Sequence, residues 1–447
     1  MSSRGPKHMS GVDAAWLRMD SPDNLMMITA LLFMGESVDR DEVRRVVATR
    51  LLRWDRFRQR VVNRDASFTT PQWVWADDFS LDDHLVFRHI GENASREVLE
   101  QHVAELMSTS LDYSKPLWQF HLLEGYEEGP VLLCRLHHCL ADGMALLRVL
   151  LSLTDEERST SRYIPLADKD FYAAGKPGSK RSNDETPGVM QVARKLASNS
   201  VNGVASLGKL LFRPSDPRTA LRGPLQVRKL ASWSPPISLE DVRRVSRKTG
   251  CTINDVLVTA LTGGLRKYIK DHGDQLESSL NIRAAIPVNL RARDADITMG
   301  NQFGLVFLSL PVGWNSQRKR LHVLRSRMDR LKKSAEPLII YGLLTVVGRT
   351  STWFEHKLVR YLADKVTAVV TNVPGPRKQR YLAGAPLTAI LPWVPQAGRV
   401  GLGVSIFSYA GEIRIGVATD AGVLDNPRSL ADLIASEFYD LREKMLD

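Results

Sequence analysis

The chain has 447 residues, enough for two ordinary domains or one bilobal unit, and its 43% apolar and 25% charged composition is that of a globular protein with a sizeable core. Three cysteines, Cys134, Cys139 and Cys251, with no C-x-x-C pair among them, argue against a disulfide scaffold and for a reducing cytosol. The formal charge of +11 falls in two basic runs, but neither is interleaved with aromatics or framed by a nucleic-acid-binding module, so nucleic acid is set aside as a partner.

In chain order, the opening SSRGPKHM is polar and lacks the apolar stretch of a secretory signal; residues 1–10 read as a disordered extension. A first lobe is expected over 11–170. It holds a buried strand at Leu25–Phe33, a helix over Asp41–Arg53, short strands at Arg56–Val62, Gln72–Trp75 and Leu85–Ile90, a helix at Glu97–Met107, and a strand entered at Pro116. Residues 171–236 are rich in Gly, Pro, Ser, Asn and Lys and read as a basic linker with a helix around Val189–Leu211. From Lys176 to Lys229 this stretch carries eleven Lys or Arg against three carboxylates.

A second lobe, 237–447, opens on Ser238-Leu-Glu-Asp241, which resembles a capping box, and a further helix runs through Asn254-Asp255 to Ile269. Strands are expected at Ala284–Val288, Phe303–Leu310, Ala368–Asn372, Gly401–Ser408 and Glu412–Thr419, with Tyr409-Ala-Gly411 as a hairpin turn and a helix from Pro427 to Met445. Arg318–Lys333 is a basic amphipathic helix. Its ordinary reading is a surface helix packing Leu321, Leu324, Met328 and Leu331 on the core; its sharper reading is contact with anionic lipid or phosphate. Pro337–Gly348 is the longest apolar run elsewhere, and it is too short for the ~20 residues of a spanning helix. Mixed strands and helices in two lobes give an α/β class, an α+β sandwich, with no dinucleotide fingerprint or P-loop.

The stretch that organises the chain is Val131–Leu153, VLLCRLHHCLADGMALLRVLLSL. A short apolar run, fit for a buried strand, ends in His137-His138. Asp142-Gly143 then turns the chain into a leucine-rich helix, and Gly143 permits a tight turn or close approach. Neighbours on a strand point to opposite faces, so one histidine is expected in a cleft and the other packed against backbone. Cys139 and Asp142 are too few for a convincing metal site. Cys139 beside His138 raises a Cys–His nucleophile pair, against which stands the commoner buried, inert thiol.

His-His-x-x-x-Asp-Gly resembles the active-site motif of the superfamily that includes chloramphenicol acetyltransferase, carnitine acyltransferases and peptide-synthetase condensation domains. VDAAWLRMD near the start, Pro116-Leu-Trp118, Asn254-Asp255, Pro287-Val-Asn-Leu-Arg291, Gly300-Asn-Gln302, Asn372-Val-Pro-Gly-Pro376 and Ser408–Asp420 follow in order. Together they resemble the wax ester synthase/diacylglycerol acyltransferase family over the whole chain except the linker.

The resemblance implies two chloramphenicol-acetyltransferase-like lobes with an active-site tunnel between them, an acyl-CoA donor as substrate, no cofactor and no metal. The acceptor would be a long-chain alcohol or diacylglycerol. It implies His138 as general base, with His137 supporting, and Asp142 either orienting the base or pairing with an Arg; Arg58 is the expected partner and Arg60 the reserve. Asn254 would be an oxyanion donor or merely a helix cap. Pro116, Leu117, Trp118, Asp255 and Asn301 are expected substrate-binding positions. The basic surface suggests a cytoplasmic protein docked peripherally on an anionic membrane or lipid droplet; the oligomeric state is not legible. Two further readings remain at this stage: a non-catalytic lipid-droplet protein on the same fold, and a condensation-type enzyme using a carrier-protein thioester.

Overall fold

Val131–His137 is a strand buried along its whole length, with an antiparallel neighbour on each side. The six-stranded sheet around it runs, in spatial order, Tyr381–Leu382, Ala385–Trp393, Met27–Met34, Val131–His137, Trp118–Tyr126 and Leu85–Ala94. Leu132, Cys134 and Leu136 point into a core beneath helix Gly143–Leu151, whereas Val131 and Leu133 point into a second core beneath helix Arg96–Met107. Both faces are covered, which is why the strand reads as a continuous apolar run rather than an alternation. The computed structural model describes residues 5–65, 69–158, 208, 212–291, 299–350, 352–396 and 398–446.

The second sheet runs Phe303–Leu310, Ile282–Asn289, Ala368–Pro374, Leu402–Tyr409, Glu412–Asp420 and Lys229–Trp233, with Ile237–Ser238 pairing to one end of Glu412–Asp420. Helices Leu239–Thr249, Ile253–Asp271, Gln317–Lys332 and Pro427–Leu446 close a core of their own over it. Local chemistry sets the helix starts. Ser238 caps the first helix by accepting from Asp241 N, and Thr252 and Asp255 form a reciprocal capping box on the next. The hairpin at Tyr409–Glu412 turns through Ala410 and Gly411, both at positive φ, as a two-residue primed turn requires.

Several expectations need correction. Lys7–His8 is not disordered: it pairs with Gln72–Trp73, and Met9 is buried, because a third, small sheet recruits this segment. Lys229–Trp233, expected in the linker, is a strand of the second sheet, and Ala385–Trp393 crosses to pair with Met27–Met34 of the first. The helix expected around Val189–Leu211 falls almost wholly outside the described residues. Helix Gln317–Lys332 buries Leu321, Leu324 and Met328, and its Arg320 is buried against Glu437 at 2.6 Å, so the surface-helix reading holds. Two helices, Glu336–Val347 and Thr352–Ala363, were not anticipated; the first packs on strand Phe303–Leu310 and on helix Gly11–Arg18.

Candidate active site

The central strand ends at His137, and alternation sends the two histidines apart as the sequence predicts. His137 Nδ1 accepts from Cys139 N at 3.1 Å, so its proton sits on Nε2, which faces Tyr113 Oη at 3.2 Å and Asp20 Oδ1 at 3.6 Å. Tyr113 in turn donates to Asp20 Oδ2 at 2.7 Å. Burial works against ionisation of Asp20, but the hydrogen bonds from His137, Tyr113 and Met26 N outweigh it and hold the carboxyl below its ordinary value. His137 is thus tied into a closed network behind the strand.

His138 faces the other way, into a cavity of about 290 Å3 between the two lobes. Its ring stacks on Trp16 (centroids 4.0 Å apart, planes 15° apart) and lies 5.5 Å from Phe303. Nδ1 is buried with no hydrogen-bond partner among the described residues. Burial in this apolar setting pushes the imidazole down to about 4, so at neutral pH it is uncharged and keeps a free lone pair. The cavity wall is mainly apolar: Met19, Leu305, Ile340, Leu344 and Leu362 contribute from both lobes, and Asn289, Thr371 and Asn372 supply its polar spots.

The loop that carries His138 is braced from both lobes. Asn301 Nδ2 donates to His138 O at 2.9 Å and to Asp13 Oδ1 at 2.8 Å. Arg56 pairs with Asp13 at 3.2 Å and donates to Leu140 O at 3.1 Å. Asp142 caps helix Gly143–Leu151 by accepting from Ala145 N at 3.0 Å, and it accepts from Gln302 N at 3.1 Å. Its ion-pair partner is Arg291 at 2.9 Å, both side chains almost fully buried.

That last contact corrects the expected partner. Arg58 lies over the Trp75 ring and pairs with Asp55 at 3.4 Å, on a half-exposed turn well away from the loop. The neighbour two residues back, Arg56, takes the bracing position, and the carboxylate is met from the opposite lobe. Asp142 therefore holds the lobes and the helix start together rather than orienting the imidazole. Cys139 is fully buried and burial pushes its thiol well up, the opposite of what a nucleophile needs.

The remaining expected site residues sit around the cavity rather than on it. Pro116-Leu-Trp118 lies behind the histidine strand: Leu117 O accepts from His137 N, and the Trp118 indole donates to Phe57 O at 2.9 Å and stacks on His84. Asp255 is occupied by its capping box. Asn301 is a brace, as above, and Gly143 does line the cavity. Asn254 stands one step back, accepting from Asn372 Nδ2 at 2.8 Å while Asn372 lines the wall. Trp16, Arg291 and Asn372 were given no role from the sequence, although each lies in a stretch that carries the resemblance. Among the described residues no group of three or more His, Cys, Asp or Glu side chains is placed to hold a metal.

A neutral histidine at a strand end, held in an apolar cavity between two such lobes, defines an acyltransferase of the His-His-x-x-x-Asp-Gly type. Comparison with known proteins agrees. The model of the wax ester synthase/diacylglycerol acyltransferase catalytic domain matches residues 9–257, and that of the corresponding C-terminal domain matches 299–442. A probable diacylglycerol O-acyltransferase of Mycobacterium tuberculosis is 27% identical over 436 residues, 95% of this chain and 93% of that protein. Wax ester synthase/diacylglycerol acyltransferase 2 of Arabidopsis thaliana is 29% identical over 399 residues, 81% of this chain and 80% of that one. Among solved structures, the wax ester synthase/diacylglycerol acyltransferase from Marinobacter aquaeolei superposes with a TM-score of 0.71 at 20% identity, covering 99% of this chain and all of that one. The first condensation domain of the calcium-dependent antibiotic synthetase gives 0.66 at 15% identity, covering 100% and 97%, and shares the fold. The chain belongs to the wax ester synthase/diacylglycerol acyltransferase family.

Proposed function

We propose that the protein transfers an acyl group from acyl-CoA to the hydroxyl of a hydrophobic alcohol, diacylglycerol or a long-chain fatty alcohol, by direct attack in a ternary complex. The observation that carries this is His138: an uncharged, buried imidazole that lines an apolar cavity between the lobes. A ring nitrogen takes the alcohol proton as the oxygen attacks the thioester carbonyl. A C–O bond forms, the tetrahedral oxyanion collapses, the C–S bond breaks, and the thiolate recovers the proton from the imidazolium to leave as free CoA. The imidazolium is poorly stabilised by its surroundings, but it forms only beside the oxyanion, whose charge offsets it. Asn372, oriented by Asn254, is an amide on the wall whose second Nδ2 proton can serve that oxyanion.

The donor's phosphates are assigned to a basic rim beside the main cavity. A second cavity of about 450 Å3 shares the wall residue Met144 with the main one and is rimmed by Arg148, Arg377 and Lys378, none with an ion-pair partner among the described residues. The Glu156 carboxylate on the same rim is paired to Arg380 at 2.7 Å. An acceptor this insoluble must be collected from lipid, so we also propose that the protein works in the cytoplasm as a peripheral protein on a membrane or lipid-droplet surface. No helix among the described residues is long and apolar enough to cross a membrane.

The test is free-CoA release from palmitoyl-CoA with diolein or hexadecanol, run beside His138→Ala. Release with either alcohol that is abolished in the folded variant is expected. No release with either alcohol would refute the reading, and would favour a lipid-binding role or a carrier-bound donor.

A further inference from the structure

The helix pair Glu336–Val347 and Thr352–Ala363 is apolar on two sides. Its inner side places Ile340, Leu344, Val359 and Leu362 in the wall of the main cavity. Its outer side exposes Val346 (47%), Trp353 (70%), Phe354 (46%) and Tyr361 (45%). These are four of the seven large apolar side chains exposed among the described residues, so the exposure is concentrated rather than scattered.

Charge on this side is mainly positive, the Asp364 carboxylate that follows the second helix being shared by Arg222 and Arg399 at 3.7 Å. Arg349, Lys357 and Arg360 are exposed between the rings, and Lys357 Nζ lies 4.9 Å from the Trp353 ring centre. The one carboxylate of residues 346–361, Glu355, is turned inward and fully buried. Tryptophan and tyrosine mixed with lysine and arginine, without exposed acid, suit the headgroup layer of a bilayer. A protein partner fits less well, since lysine is depleted in protein interfaces.

The basic segments named from the sequence are weaker candidates. Of their described charges, Arg213 pairs with Glu336, Arg222 with Asp364, Lys229 with Asp420 and Arg320 with Glu437, while Arg318, Lys319, Arg325, Arg330 and Lys332 are exposed on a helix that exposes no large apolar side chain beside them.

Resting on the proposed hydrophobic acceptor, we infer that the outer side of this helix pair docks on an anionic phospholipid surface. The pair is then the partition, one helix of ~10 Å thick, between the lipid and the cavity that holds His138. A diacylglycerol or fatty alcohol dissolved in that lipid lies directly behind the cavity wall and reaches the base without crossing water.

The experiment is co-sedimentation of the full chain with vesicles of dioleoylphosphatidylglycerol and dioleoylphosphatidylcholine. Wild type is compared with W353Q/F354Q and with K357Q/R360Q, while CoA release from palmitoyl-CoA and hexanol in vesicle-free buffer reports the reaction itself. The aromatic variant is expected to lose at least tenfold in partitioning. The cation variant should lose about fivefold per charge at low salt, from ~1 kcal/mol each, and little at high salt. Vesicle-free CoA release should stay within twofold in both.

An aromatic variant that binds vesicles as wild type does would overturn the inference and leave the acyl-transfer reading intact. So would a wild type that is dimeric in buffer and made monomeric by the same substitutions, since the face would then be covered by a second copy. Absence of CoA release from wild type with every alcohol would sink the acyl-transfer reading instead, and with it the reason for lipid contact.

Discussion

The loop from His137 to Gly143 and the helix pair from Glu336 to Ala363 face each other across one cavity and are built on opposite plans. The loop is short and polar, and its groups are tied down by Asn301, Arg56, Arg291, Gln302 and the Asp20–Tyr113 network. The helix pair is held mostly by apolar packing and carries oil on both sides. A proton must be received at a fixed point, which demands directional bonds. An acyl chain only has to be surrounded, and apolar contacts, being non-directional, allow the wall to adjust.

The largest expected break in that contrast is on the loop side. His138→Ala should stay folded and lose ~10²–10⁴-fold in transfer, whereas His137→Ala should lose less and show it mainly as a lower Tm. The pH profile of kcat/KM for wild type should be flat from neutrality down to about pH 5 and fall only as the base is protonated near its value of about 4. A fall centred on the ordinary histidine value, 6.5, would mean that the imidazole is far better solvated than its burial implies.

Next comes the bridge between lobes. Removing either Asp142 or Arg291 leaves a buried charge alone and should destabilise by ~3–5 kcal/mol, with the double variant well short of the sum. Arg58→Ala, whose partner Asp55 is half-exposed, should change stability by less than ~1 kcal/mol. Urea unfolding of the four variants beside wild type decides it; equal losses at Arg58 and Arg291 would return the pairing to the first lobe.

Glu355 probes the helix pair. Its carboxyl is buried with no hydrogen-bond partner among the described residues, and burial pushes it up to about 8. A raised acid is tolerated while protonated, so stability is fully present below about 4.5, its ordinary value, and is lost as pH rises through about 8. Glu355→Gln should abolish this drift, so its Tm advantage over wild type should grow across that window. A constant Tm difference with pH would mean that Glu355 is not the titrating group. The smallest effect is expected at Cys139. Cys139→Ser should keep transfer within a few fold, with no acyl adduct on Cys139 of wild type by mass spectrometry during turnover.

What could be read from the sequence follows the same divide. The buried strand, the turn and the helix of Val131–Leu153 are local, and so were legible with His138 at the junction. Strands such as Phe303–Leu310 and Gln72–Trp75 came out with the expected bounds because each is a short apolar, aromatic or β-branched run. The Asp142–Arg291 pair joins residues far apart in the chain, and nothing local distinguishes Arg291 from Arg58. Pro116-Leu-Trp118 looked like a substrate contact because aromatic and apolar residues serve equally as wall and as brace; only the fold shows Trp118 bonded to Phe57. Helix Glu336–Val347 stayed hidden because an all-round apolar run has no amphipathic period to betray it.

The strand Ala385–Trp393 has a consequence for how the chain is made. It is the neighbour of Met27–Met34 in the sheet that presents His138, yet together with Tyr381–Leu382 it leaves the ribosome long after the other four strands of that sheet. At ~5–20 residues per second, Met27–Met34 waits some tens of seconds with one edge unpaired. An apolar edge of that kind invites pairing with other nascent chains. The first lobe therefore cannot mature as an autonomous N-terminal unit, and expression of residues 1–170 alone should yield aggregate rather than a small soluble domain.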